Sequence, residues 1–109
     1  MNASTSPGLA VVTTIEGSQT VVAVSGELDV TTTAVLRAAV DEAARRGVAR
    51  LVLHVEQLSF LDSSGVACLV GVRKHLAARE IPLTVRCGRD TPAARLLRFA
   101  GLEHLLELE

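Results

Sequence analysis

The sequence predicts a single α/β domain built on a mixed sheet, and three observations carry that expectation. Runs of Val, Ile, Thr and Leu take turns with stretches whose apolar residues recur at helical spacing. The first two β-type runs adjoin across Gly17-Ser18-Gln19, whereas each later one is followed by a helix-type segment. The 109 residues, 49% hydrophobic and 21% charged, supply one aliphatic core. The order β-β-α-β-α-β-α, plus a short C-terminal segment, implies an antiparallel hairpin and then right-handed crossovers in a sheet of four to five strands.

Each element has its own signal. Residues 1–8 are polar, with no basic start and no apolar stretch, and read as a flexible N-terminal tail rather than a signal peptide; 9–109 form the domain. Residues 9–16 and 20–25 are the hairpin strands. Thr31-Thr32-Thr33 offers caps to a first helix that buries Leu36, Ala39, Val40 and Ala43, turns Arg37, Asp41 and Arg45 away, and ends at Gly47. Residues 50–55, Arg-Leu-Val-Leu-His-Val, are nearly continuous in apolar character, which predicts a central strand buried on both faces. A second helix opens at Asp62-Ser63-Ser64-Gly65, carries Val66, Leu69, Val70 and Leu76 as its core stripe, and runs to about Arg79. Residues 82–87 are β-type. Thr91-Pro92 then provides an N-cap and a first helical residue for a third helix, whose apolar residues Leu96, Leu97 and Phe99 precede a stop at Gly101. The apolar-acidic segment 102–109 fits either strand or helix.

Composition excludes several functions. A formal charge of -1, with no Trp or Tyr, gives a nucleic-acid backbone nothing to follow and bases nothing to stack on. Cys68 and Cys87 lack metal-ligand spacing and read as reduced thiols of a cytoplasmic protein. No apolar run is long enough to span a bilayer. The histidines, His54, His75 and His104, are scattered, and no Gly-x-Ser-x-Gly elbow is present, so no nucleophilic enzyme is assembled. A phosphoaspartate receiver is also excluded: there is no acidic pair after the first strand, and the only lysine, Lys74, lies on a helix.

The remaining chemistry sits at Asp62-Ser63-Ser64-Gly65. A helix start presents unpaired N–H groups and the positive end of the helix dipole, both of which favour a phosphate. Ser64 is the candidate acceptor of a phosphoryl group from a separate kinase, with Gly65 letting that enzyme approach and Asp62 either orienting the hydroxyl or capping the helix. Ser64, Cys68, Gly71 and His75 fall on one strip of this helix, which reads either as close packing against a neighbouring helix or as a docking face beginning at Ser64. His54, read as the penultimate residue of the central strand, is a candidate modulator near the start of the second helix.

Gly26-Glu27-Leu28-Asp29 and Ser59-Phe60-Leu61-Asp62-Ser63-Ser64-Gly65, in this order and spacing, closely resemble the STAS domain of bacterial anti-sigma factor antagonists, over residues 9 to 108. The resemblance implies partner switching. An unphosphorylated antagonist binds an anti-sigma factor that is also a serine kinase, freeing the sigma factor; phosphorylation on Ser64, with Ser63 as second choice, ends the complex, and a PP2C-type phosphatase resets it. The implied docking surface comprises Asp29, Thr31, Thr32, Asp62, Ser63, Ser64 and Gly65, continued by Cys68 and Gly71. His54 stands where relatives often carry Asp or Asn. No cofactor, metal, nucleic acid or membrane is implied. The alternative is a constitutive STAS binding subunit of a lipid-transport ATPase or signalling scaffold.

Overall fold

Alternating apolar and polar residues along the β-type runs build a six-stranded sheet in a computed structural model of the chain, which describes residues 2–103 and 107–108. In chain order the elements are β1 (Asn2–Ser6), β2 (Leu9–Glu16), β3 (Gln19–Leu28), α1 (Thr33–Arg45), β4 (Arg50–Leu61), α2 (Ser63–Ala78), β5 (Leu83–Arg86), α3 (Pro92–Phe99) and β6 (Glu107–Leu108). The strands lie side by side in sequence order. β1, β2 and β3 pair antiparallel, and β3, β4, β5 and β6 pair parallel. The α/β class and the mixed sheet are as expected from the sequence.

Both ends differ from the expectation. The segment taken as a loose tail supplies β1, pairing Asn2 with Thr13 through Ser6 with Leu9. Its side chains carry no hydropathy signal because an edge strand is held by its backbone and faces water. At the other end β6 adds a parallel edge beside β5, Thr84 opposite Glu107. These two edges raise the strand count above the expected four to five. Residues 104–106 and 109 of the C-terminal segment, His104 among them, lie outside the described residues.

One sheet face carries all three helices. Leu9 and Val11 of β2, Val22 and Val24 of β3, Leu51, Leu53 and Val55 of β4, and Leu83 and Val85 of β5 join a single cluster with helix residues such as Leu36, Val40, Leu69, Leu76 and Leu97. Successive strand residues point to opposite faces. Val21, Val52 and Thr84 therefore lie on the other face, buried yet outside that cluster. There Arg50 of β4 lays its Nη1 2.6 Å from the Thr84 hydroxyl of β5. The sheet is thus covered by helices on one side and by its own side chains on the other, and Leu51, Val52, Leu53 and Val55 are buried, as expected of a central strand buried on both faces.

β4 is longer than the apolar run that announced it. Beyond Val55 its buried residues are Leu58 and Leu61, three apart instead of two. The pairing explains the spacing: Ala23 faces His54 but Ser25 faces Gln57, and Gly26 faces Leu58 but Glu27 faces Phe60. At each step β4 holds one residue more than β3, so its inward phase shifts.

The helices follow their periodicity with three corrections. On α2 the buried residues are Gly65, Cys68, Leu69, Val72 and Leu76, while Val66 packs at the margin and Val70 is half-buried. On α1 the stripe is Leu36, Val40, Ala43 and Ala44. On α3 the core positions are Ala93, Ala94 and Leu97, and Phe99 is 89% exposed. Phe60 is exposed too, so the interior contains no ring. We expect Leu53→Ala to cost about 2–5 kcal/mol in urea unfolding, because it deletes methyl groups from a closed core. Phe99→Ser should stay within about 0.5 kcal/mol.

Candidate functional site

Parallel pairing of β3 with β4 sets Leu28 opposite Leu61. The loop after β3 and the start of α2 therefore meet at the carboxyl ends of adjacent parallel strands, where open α/β sheets place their ligands. The two motifs, more than thirty residues apart in sequence, become one surface.

Asp29 organises the first loop. Its Oδ1 accepts from the Thr31 N–H at 2.9 Å and from the Thr31 hydroxyl at 2.6 Å. These bonds favour the ionised form and hold the Asp29 carboxyl below its ordinary range, the Thr31 hydroxyl contributing most. Thr32 is the N-cap of α1 by position, but its hydroxyl turns back from the helix. It donates to the Glu27 carbonyl at 2.8 Å and accepts from the Asp29 N–H at 3.0 Å. Gly26 is needed just before, since a Cβ there would collide with the Gly8 carbonyl. The Glu27 N–H donates to that same carbonyl at 2.7 Å.

The second segment is a capped helix start. Asp62, extended at φ -111 and ψ -170, accepts the Gly65 N–H on Oδ1 at 3.0 Å. Ser63 and Ser64 are then the first two residues of α2. Ser63 is exposed and Ser64 half-buried. A Cβ on Gly65 would lie 2.7 Å from the Leu28 carbonyl oxygen and would overlap the Leu61 side chain. Glycine at this position seats the first turn of α2 directly on the end of β3. Asp62 thus caps the helix, its carboxylate and its carbonyl accepting the N–H groups of Gly65 and Val66.

The structure separates the strip of small residues into unlike parts. Cys68 is fully buried, its Sγ 3.9 Å from the Thr33 carbonyl of α1. Burial raises its pKa, only partly offset by Arg37, and burial likewise raises that of Cys87, which disfavours the thiolate at both. Cys68 belongs to the core and not to a docking surface. Thr32, 2% exposed, is likewise a fastening of the loop and not a contact for a partner. Gly71 is exposed, with nothing within 4 Å of the position its Cβ would take. The close helix packing expected there does not occur.

His54 is a further correction. It faces Ala23 and Arg86 in the middle of the sheet, its Nε2 3.5 Å from Arg86 Nη1. β4 continues to Leu61. At strand rise that remaining length is roughly 20 Å, too far for an imidazole to reach a phosphate on Ser64.

Two residues escaped the sequence reading. Val30, 73% exposed, sits between Asp29 and Thr31, and Phe60, 46% exposed, stands just before Leu61-Asp62. The available signal was position: Phe60 lies within the second motif segment and Val30 directly follows the first. Among the described residues no group of His, Cys, Asp and Glu has the arrangement of a metal site, and no helix is long and apolar enough to cross a membrane.

Comparison with known proteins agrees with this geometry. The family model described as "Mlab, STAS domain" matches residues 11–107. An anti-sigma F factor antagonist of Paenibacillus polymyxa is 35% identical over 89 residues, covering 81% of this chain and 75% of the relative. The crystal structure of an anti-sigma factor antagonist from Mycobacterium paratuberculosis superposes with TM-score 0.82 at 23% identity, over 96% of this chain and 88% of its own. The antagonist SpoIIAA superposes in its unphosphorylated form with TM-score 0.71 at 25% identity, over 91% and 87%. SpoIIAA of Bacillus in its phosphorylated form gives 0.66 at 26%, over 91% and 90%.

Gly65→Ala should destabilise the domain by about 2 kcal/mol or more in chemical denaturation, because the added methyl has only the Leu28 carbonyl and the Leu61 side chain to move against. In a carboxyl NMR titration Asp29 should ionise below the ordinary aspartate range. Since its folded pKa is the lower one, its stabilising effect is present above the unfolded value and fades as pH falls through the folded one. Thr31→Ala should move the midpoint upward.

Proposed function

The chain belongs to the STAS domain family, and on that premise we propose that it is an anti-sigma factor antagonist switched off by phosphorylation on Ser64. One observation carries the reading most directly. Ser64 lies in the first turn of α2, beside Asp62, with the Asp29 loop against the same junction and the exposed Val30 and Phe60 around it. An acceptor hydroxyl, a helix N-terminus able to solvate phosphate and an apolar rim coincide in one place. The phosphorylated and unphosphorylated structures of SpoIIAA support the same reading by similarity.

In this scheme the unmodified surface docks on an anti-sigma factor that is a serine kinase, and so frees a sigma factor for transcription. The kinase transfers the γ-phosphoryl of ATP to the Ser64 oxygen: the new O–P bond forms as the bond to the β-phosphate breaks, ADP leaves, and the hydroxyl proton passes to a base of the kinase. The product brings roughly -1.5 to -2 charges at neutral pH. Asp29 and Asp62 already place carboxylates at the surface, so the new charge meets like charge in the contact and the complex separates. The domain itself tolerates the phosphate, because Ser64 stands at the positive end of the α2 dipole. A PP2C-type phosphatase returns the serine. Ser63, exposed one residue earlier, is the second candidate acceptor.

Incubation with the kinase and Mg-ATP, followed by site-mapping mass spectrometry, should place the phosphate on Ser64. Ser64→Ala should keep the complex within about twofold of wild type in a calorimetric assay, and Ser64→Glu should weaken it by at least about tenfold, on the order of 1.4 kcal/mol. Val30→Ser should weaken the complex while leaving the melting temperature within about 2 °C, since Val30 buries little in the free domain. Equal binding by the Ala and Glu variants, with no phosphate found, would remove the proposal.

A further inference from the structure

Gly71 is the one glycine of the chain that the fold itself does not require. Six of the eight have positive φ, and Gly65 is held by the Leu28 carbonyl. Gly71 lies in the interior of α2, where glycine weakens a helix relative to alanine. A side chain there would meet nothing within 4 Å.

What surrounds it is a groove. α1 and α2 run side by side, with Cys68 against the Thr33 carbonyl and the Arg37 side chain at one end, and His75 Nε2 3.2 Å from Asp41 Oδ1 at the other. Between these contacts the seam opens into a cavity of about 240 Å³ over Gly71, floored by Val40 and Val72 and rimmed by Arg37, Asp41 and His75. The rim is electrically uneven. Asp41 is balanced by Arg45 at 3.3 Å, whereas Arg37 has no carboxylate within ion-pair distance among the described residues.

We propose that this groove receives an apolar side chain of the anti-sigma factor, presented next to a carboxylate that pairs with Arg37. The inference rests on the antagonist reading and extends it. Ser64 and Gly71 are two helical turns apart on one strip, about 10 Å along the axis of α2. A specific interface covers about 800 Å² per partner, a disc of roughly 16 Å radius. A kinase placed over Ser64 therefore also covers the groove. Glycine at 71 keeps that groove open, and a guanidinium with no carboxylate beside it among the described residues gives the occupant its charge preference.

Gly71→Leu and Arg37→Glu test the groove. The purified histidine-kinase-type anti-sigma factors of the source genome serve as probes, with wild type and Ser64→Ala measured alongside. The expected result is a melting temperature for Gly71→Leu at or above that of wild type, with at least tenfold weaker binding. Arg37→Glu, on the exposed rim, should lose at least fivefold, and the loss should shrink with added salt. If wild type binds and Gly71→Leu, still folded, binds within twofold of it, the groove proposal falls and the antagonist reading stands. If Gly71→Leu does not fold, Arg37→Glu binding within twofold of wild type overturns the groove in its place. If wild type neither binds nor accepts phosphate from any of the probes, both fall. If light scattering shows wild type to be a dimer that Gly71→Leu breaks, the occupant is a second copy and the proposal is wrong.

Discussion

The first turn of α2 rests on the carbonyl of Leu28 with no side chain between them, and the site takes its shape from that contact. Gly65 makes it sterically possible, Leu61 fills the flank, and the Asp62 carboxylate closes the turn by accepting the Gly65 N–H. Because Leu28 and Leu61 are register partners, the same contact fixes the distance between the Asp29 loop and Ser64. Parallel pairing brings the two segments to one end of the sheet, and glycine brings them into contact. A residue with a Cβ at 65 would lift α2 and carry the serine with it.

The loop on the other side is fastened with equal economy. Thr32 spends its hydroxyl on the backbone of Glu27 and Asp29 instead of on its own helix, and Thr31 closes on the Asp29 carboxylate. Neither bond reaches across the junction. The two halves are tied to each other by the Ser59 hydroxyl, which donates to the Gly26 carbonyl at 3.2 Å, and by the contact of Gly65 with Leu28.

Much of this was legible in the residues because the signals were local. Asp62 as a cap, Thr91 as a cap before Pro92 and the helical stripes around Leu36 and Leu69 follow from side-chain chemistry within a few positions. What was not legible depended on pairing with distant chain. The added residues in β4 are invisible without β3 alongside, and they moved His54 from the mouth of the site to the middle of the sheet. Cys68 and Gly71 looked equivalent on one helical strip, yet one meets the Thr33 carbonyl and the other opens onto a cavity, a difference set by α1. The Ser- and Thr-rich segment of β1 pairs by backbone alone, so its side chains gave no warning.

The interior without aromatic rings has an experimental corollary. With no Trp, no Tyr and both Phe residues in contact with solvent, the domain is nearly silent in near-ultraviolet absorption and emission. Tryptophan or tyrosine emission from any mixture containing it belongs to the other components. A single indole placed by mutation on its surface would report from one known position against a dark background.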